Sequence, residues 1–152
     1  MTEIDTSAEA LENAVLPPAK VAHAEKGGPR TAEQQPLPAG VAKKSPEQKS
    51  PAEWAYERII LYIKNFEEQL DSDHEVGMGF AGGEVGSLRI QGVGYFAPDL
   101  ITFYGMDEAG AKTQLVQHVS QLNVMLKSAP KLRDEPNRIG FNLAASLEED
   151  AG

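Results

Sequence analysis

From Ser50 onward the apolar residues fall into a helical rhythm. Ala55, Ile59, Tyr62, Ile63, Phe66 and Leu70 recur at steps of three and four and make one stripe. Ser50-Pro51-Ala52-Glu53 places an N-cap serine, a proline at the first helical position and a glutamate at the third, which predicts where the helix begins. Glu53, Glu57, Lys64, Glu67 and Glu68 sit mostly off the stripe and are expected to face water. Trp54, Ile60 and Leu61 widen the apolar surface beyond one face, so the helix is either buried on two sides or has a second partner surface.

After Asp71–Glu75 the period changes to two. Val76, Met78 and Phe80 alternate with Gly77, Gly79 and Ala81, which predicts a strand with one bulky and one nearly bare face. Gly82, Gly83 and Gly86 supply a turn. Leu88 and Ile90 alternate with Arg89 and Gln91, and the phase then slips by one at Gly92 before Val93 and Tyr95, as at a β-bulge. Ala97-Pro98-Asp99 turns the chain into a third strand over 100–104. Two readings compete beyond it. Asp107-Glu108-Ala109-Gly110 is turn chemistry that would make 111–116 a further strand. Leu115, Val119, Leu122, Leu126 and Ala129 instead fit a helix over about 113–128, which is the favoured reading. Ile139, Phe141 and Leu143 alternate as a last strand, and residues 146–152 read as an acidic tail. The fold class is α+β: a small antiparallel sheet of about four strands with two amphipathic helices on one face.

The first third of the chain is different in kind. All ten aromatic residues lie between Trp54 and Phe141, while six of the ten prolines precede residue 50. Residues 1–49 are therefore expected to be a disordered leader that supplies no core, because so little apolar surface cannot offset an ordering cost of about 1–2 kcal/mol per residue. Within it, Thr6 and Glu9 have capping-box spacing ahead of Leu11 and Val15, a short helical signal that Pro17 and Pro18 stop. The expected division is leader 1–49, compact domain 50–145 and tail 146–152.

Fourteen basic against twenty-three acidic residues give a net charge of −9. The leader is nearly balanced, so the folded part is acidic and repels phosphate backbones; nucleic acid is not an expected partner. Absence of cysteine removes disulfides, thiolate nucleophiles and Cys-ligated zinc. No apolar run approaches the ~18 residues of a spanning helix, and the N-terminus resembles neither a secretory nor a transit peptide, so the expected location is the cytoplasm, away from membranes.

Few residues point to chemistry. Gly77-Met78-Gly79-Phe80-Ala81-Gly82 matches G-x-G-x-x-G, but a helix precedes it and a strand follows, the reverse of a dinucleotide site. Gly77 and Gly79 read instead as a bare sheet face that another backbone or an aromatic ring can approach. Asp71-Ser72-Asp73-His74-Glu75 offers oxygen ligands yet lacks the rest of a calcium loop. His118, beside an apolar stripe, reads as a hydrogen-bonded structural histidine. There is no nucleophile elbow and no opposed carboxylate pair, so no catalytic residue, metal or cofactor is nominated.

Phe103-Tyr104-Gly105, Asp107-Glu108-x-Gly110, Gln117-His118-Val119-Ser120-Gln121-Leu122 and Arg138-Ile139-Gly140-Phe141 resemble a family of small uncharacterised bacterial proteins, over about residues 53–143. The resemblance implies a compact domain and brings no activity with it. The leading expectation is a non-enzymatic interaction module, binding a protein partner or forming a homo-oligomer through an open sheet edge or its glycine-bare face. The alternative is a small-molecule-binding domain or minor enzyme with a pocket at the helix–sheet interface, near His118, Tyr104 and Arg138.

Overall fold

The structure, a computed structural model, describes residues 19–24, 31–38, 41, 48–80 and 88–149. The turn expected at Gly82, Gly83 and Gly86, and the short helix expected after Thr6, lie outside the described residues. Among the described residues the order is α1 (Pro51–Glu67), β1 (His74–Phe80), β2 (Arg89–Phe96), β3 (Leu100–Met106), β4 (Lys112–His118), β5 (Val124–Pro130) and α2 (Gly140–Glu149). Short 3-10 turns cover Ala32–Gln34 and Val119–Gln121. No helix among these residues is long and apolar enough to cross a membrane.

α1 starts where its cap residues place it. The Ser50 hydroxyl accepts from the Glu53 amide at 3.1 Å, and Pro51 occupies the first turn. The Ala52 amide, one of the donors a helix start leaves unpaired, donates to the Pro98 carbonyl at 3.0 Å.

The strands form two antiparallel sheets: a ribbon β1–β5 and a three-stranded sheet β2–β3–β4. They meet at one bridge, where Met78 and Leu88 exchange both backbone hydrogen bonds (2.8 and 2.7 Å). The expectation of one sheet of about four strands is thus corrected to five strands in two sheets. The register of β2 against β3 shifts between Ile90 and Gly92, the bulge its phase slip predicts.

Residues 112–118 form a strand, which corrects the helix favoured over 113–128. Asp107 Oδ1 accepts from the Ala109 and Ala111 amides at 2.9 and 2.8 Å, and Gly110 takes the positive φ of +84° that this tight turn requires. A hairpin follows. Exposure then alternates strictly along β4. The expected last strand is likewise corrected: residues from Gly140 are helical, with Leu143, Ala144 and Leu147 on the buried side and Phe141 exposed. Leu147 is buried, so the supposed acidic tail carries a core residue.

Two clusters explain the excess of apolar residues on α1. Ile63 joins Met78, Leu88, Ile90, Ile101 and Phe103 between helix and sheets. On its other side Ile60 packs with Leu147 and Val41, flanked by Leu37, Trp54 and Leu61. α1 is therefore the middle layer, and α2 rests on α1, so the helices do not share one face of a sheet. Val41 is 1% exposed, so the expectation that nothing before residue 50 enters a core fails at that position; burying a valine contributes about 1.5 kcal/mol or more.

Candidate functional site

Side chains alternate across the three-stranded sheet. Ile101 and Phe103 turn to the core, while Thr102, Tyr104 and Met106 turn outward. The register continues this outer face onto both neighbours: Tyr104 lies opposite Gly92 and Gln114, and Thr102 opposite Gly94 and Val116. On this face Phe96 (74% exposed), Tyr104, Met106 and Val116 (56%) are all large, apolar and in contact with water. Isolated exposed apolar residues are common, whereas these four share one face.

Glycines shape the floor of the face. A Cβ on Gly92 would lie 3.5 Å from Tyr104 Cδ2, and one on Gly94 would lie 3.6 Å from Tyr104 Cε2 and 2.7 Å from Thr102 Oγ1. The Tyr104 ring thus lies across both glycines, and its hydroxyl accepts from Thr102 Oγ1 at 3.3 Å. A bare face open to another backbone or an aromatic ring was expected at Gly77 and Gly79; the glycines that a ring covers are instead Gly92 and Gly94, under Tyr104. Gly77 is buried in β1 opposite Lys127, and a Cβ on Gly79 would make ordinary contacts with Lys127 and Met125.

His118, Tyr104 and Arg138 are not brought together. His118 pairs with Leu100, at the start of β3, and Tyr104 lies four residues further along that strand. Arg138 is beyond its other end. There its guanidinium donates to the Asp71 and His74 carbonyls at 2.7 and 2.9 Å, while the adjacent Asn137 amide donates to Glu75. None of these three residues lines either of two cavities that the described residues form on the far side of α1. The larger, about 780 Å³, runs between Pro36, Leu37, Leu61, Phe141 and Ala144; the smaller, about 280 Å³, borders Val41, Trp54, Arg58 and Tyr62.

His118 closes a corner. Its Nδ1 accepts from the Ser120 amide at 3.1 Å and lies 2.8 Å from the Ser120 hydroxyl. That leaves the proton on Nε2, which donates to Asp99 Oδ2 at 3.0 Å. The Asp99 carbonyl in turn accepts from Val119 at 2.8 Å. Both ring nitrogens are committed to holding the β4–β5 connection against the β2–β3 turn, and Asp99 and Ser120 are partners that the local sequence did not single out.

The acidic run 71–75 splits up. Asp71 Oδ1 lies 2.6 Å from His74 Nδ1, and the side-chain hydrogen bond from His74 holds the Asp71 carboxyl below its ordinary value. Glu75 is buried and faces the other way: Oε2 accepts from Arg89 Nε at 2.9 Å, which ties β1 to β2, and Oε1 accepts from the Asn137 amide at 3.0 Å. Among the described residues no group of three or more His, Cys, Asp or Glu side chains is placed to hold a metal ion. The helix carboxylates also depart from expectation. Glu57 and Glu67 are buried at 6% and 8% exposure, the first paired with Lys49 at 2.8 Å, the second with backbone amides of the 139–140 segment.

A helix clasped between two antiparallel sheets and a second helix, with a glycine-floored apolar face turned outward, defines an α+β domain. The chain belongs to the DUF6173 family, a family of unknown function, with the match spanning residues 48–142. No curated protein and no solved structure matches it.

Proposed function

We propose that this domain is a non-enzymatic protein-interaction module that engages its partner through the outer face of the three-stranded sheet. The observation that carries this reading is the co-facial exposure of Phe96, Tyr104, Met106 and Val116. Removing an exposed phenylalanine from water contributes about 1.5–3 kcal/mol, and aromatic anchors of this kind dominate binding energies. Gly92 and Gly94 let Tyr104 lie close to the sheet, so Phe96 stands clear at the start of the β2–β3 turn as the protruding anchor.

Photo-crosslinking residues placed at Phe96, Val116 and Leu132, the last exposed on the segment after β5, test this reading. The expected outcome is one common partner captured at Phe96 and Val116 and not at Leu132. A Phe96→Ser/Val116→Ser variant should weaken that capture at least tenfold. Equal capture at Leu132, or none at the face, would overturn the proposal.

A further inference from the structure

We infer that the free edge of β4 pairs with β4 of a second copy of this chain, antiparallel and two-fold symmetric about Leu115. This goes beyond the interaction reading above and names a second contact, at the edge of the sheet whose outer face is proposed there.

Among the described residues β1 and β2 are end strands too, but they approach each other at the Met78–Leu88 bridge and β2 is broken by its bulge at Gly92, so the edges left to compare are those of β4 and β5. The two differ in how well they are protected. β5 ends in Pro130 and carries Lys127 near its middle, both features that discourage further pairing. β4 is seven residues long, with no proline, glycine or bulge, and its one charged side chain apart from the histidine is Lys112 at its start. A strand of this kind is a template for another strand.

The second copy is favoured because β4 is complementary to itself. Leu115 is the middle residue of Lys112–His118, so the register centred there lets all seven residues pair. Outer-face residues then meet outer-face residues, as the pleat requires. Leu115 meets its own symmetry mate and completes a burial that the single chain leaves partial. Thr113 lies opposite Gln117, and the exposed Val116 opposite the aliphatic stem of Gln114. The charges match as well. Lys112 has no carboxylate in ion-pair range among the described residues. In this register it stands opposite His118 of the other copy, where Asp99 Oδ2 accepts from the ring. The two-fold axis makes that contact twice.

The absence of cysteine permits a clean test on the full chain. Gln114→Cys and Val116→Cys are prepared as separate proteins. In the inferred register position 114 opposes 116 of the other copy, while 114–114 and 116–116 are diagonal neighbours too far apart for easy bridging. Disulfide formation is therefore expected in the mixture and much more slowly in either protein alone. Sedimentation equilibrium should give twice the 16.4 kDa chain mass. Lys112→Glu should weaken the dimer about tenfold, as two like-charge contacts replace two attractive ones.

A monomer at ~100 μM, or crosslinking as fast in one protein alone as in the mixture, would overturn the pairing. The interaction reading is judged separately. It stands without the pairing if Phe96 and Val116 capture a different protein, and it falls if they capture nothing.

Discussion

Glu67, in the last turn of α1, lies 2.8 Å through Oε1 from the amide nitrogen of Gly140, the first residue of α2. Its Oε2 accepts from the Ile139 amide at the same distance. A buried carboxylate on one helix thus serves the start of another, satisfying amides that α2 does not satisfy itself and placing a negative charge at its positive end.

Removing that carboxylate leaves two amides without acceptors, one buried and one part-buried. Glu67→Ala should cost about 2–3 kcal/mol, the range for hydrogen bonds to a charged group. Chemical denaturation measures the loss, and amide exchange should show α2 deprotected more than β3. Glu67→Gln, which keeps one acceptor, should recover part of it.

Glycine is needed at some positions of this fold and not at others. A Cβ on Gly105 would overlap the Arg89 carbonyl oxygen and lie 2.9 Å from its carbon, while one on Gly92 would rest 3.5 Å from Tyr104. Gly105→Ala should cost about 3 kcal/mol, because backbone cannot give way as a side chain can, and Gly92→Ala less than about 1 kcal/mol. Thermal melts of the two variants test the contrast.

Asp71 makes the electrostatics of the β1 entry measurable. Its carboxyl is held below 3.8, first by the side-chain hydrogen bond from His74 and next by the Asp73 amide. A depressed folded-state value means that this contact stabilises the protein above pH 3.8 and is lost as pH falls through the folded-state value. Asp71 is exposed, so the effect on stability should be small. Carboxyl-carbon NMR titration should place its midpoint below 3.8, and His74→Ala should move it upward.

How far such features could be read in advance depends on whether their causes are local. α1 was legible because its cap, its proline and its stripe lie within twenty residues, and the Gly92 bulge because a phase slip at glycine is a local signal. The β4–β5 region misled because the 3-10 turn Val119–Gln121 joins two period-two strands with a shift. Leu115, Val119, Leu122 and Leu126 then fall at spacings of three and four by coincidence. α2 was misread because Glu67, more than seventy residues earlier, supplies its cap. The outer face was not legible: a bare face for another backbone or an aromatic ring was expected at Gly77 and Gly79 of β1, whereas the register of β2 against β3 places Tyr104 over Gly92 and Gly94.

The contact at Lys49 joins the segment before α1 to the domain. Its ammonium pairs with Glu57 at 2.8 Å, donates to the Val41 carbonyl, and sits 4.3 Å from the centre of the Trp54 ring, with Arg58 4.8 Å from the same ring. The Lys49 side chain has no solvent exposure and Glu57 very little. Removing one partner of such a pair leaves a buried charge uncompensated, at about 3 kcal/mol, whereas replacing both with apolar residues of similar volume is close to neutral. Glu57→Ala should therefore destabilise the protein by about that amount and release Val41, while Lys49→Met/Glu57→Met should largely restore stability. Trp54 is the sole tryptophan, so its fluorescence reports the site directly. Its emission should change in Glu57→Ala below the global unfolding transition, whereas an emission that changes only together with global unfolding would show that this contact does not hold the Val41 segment.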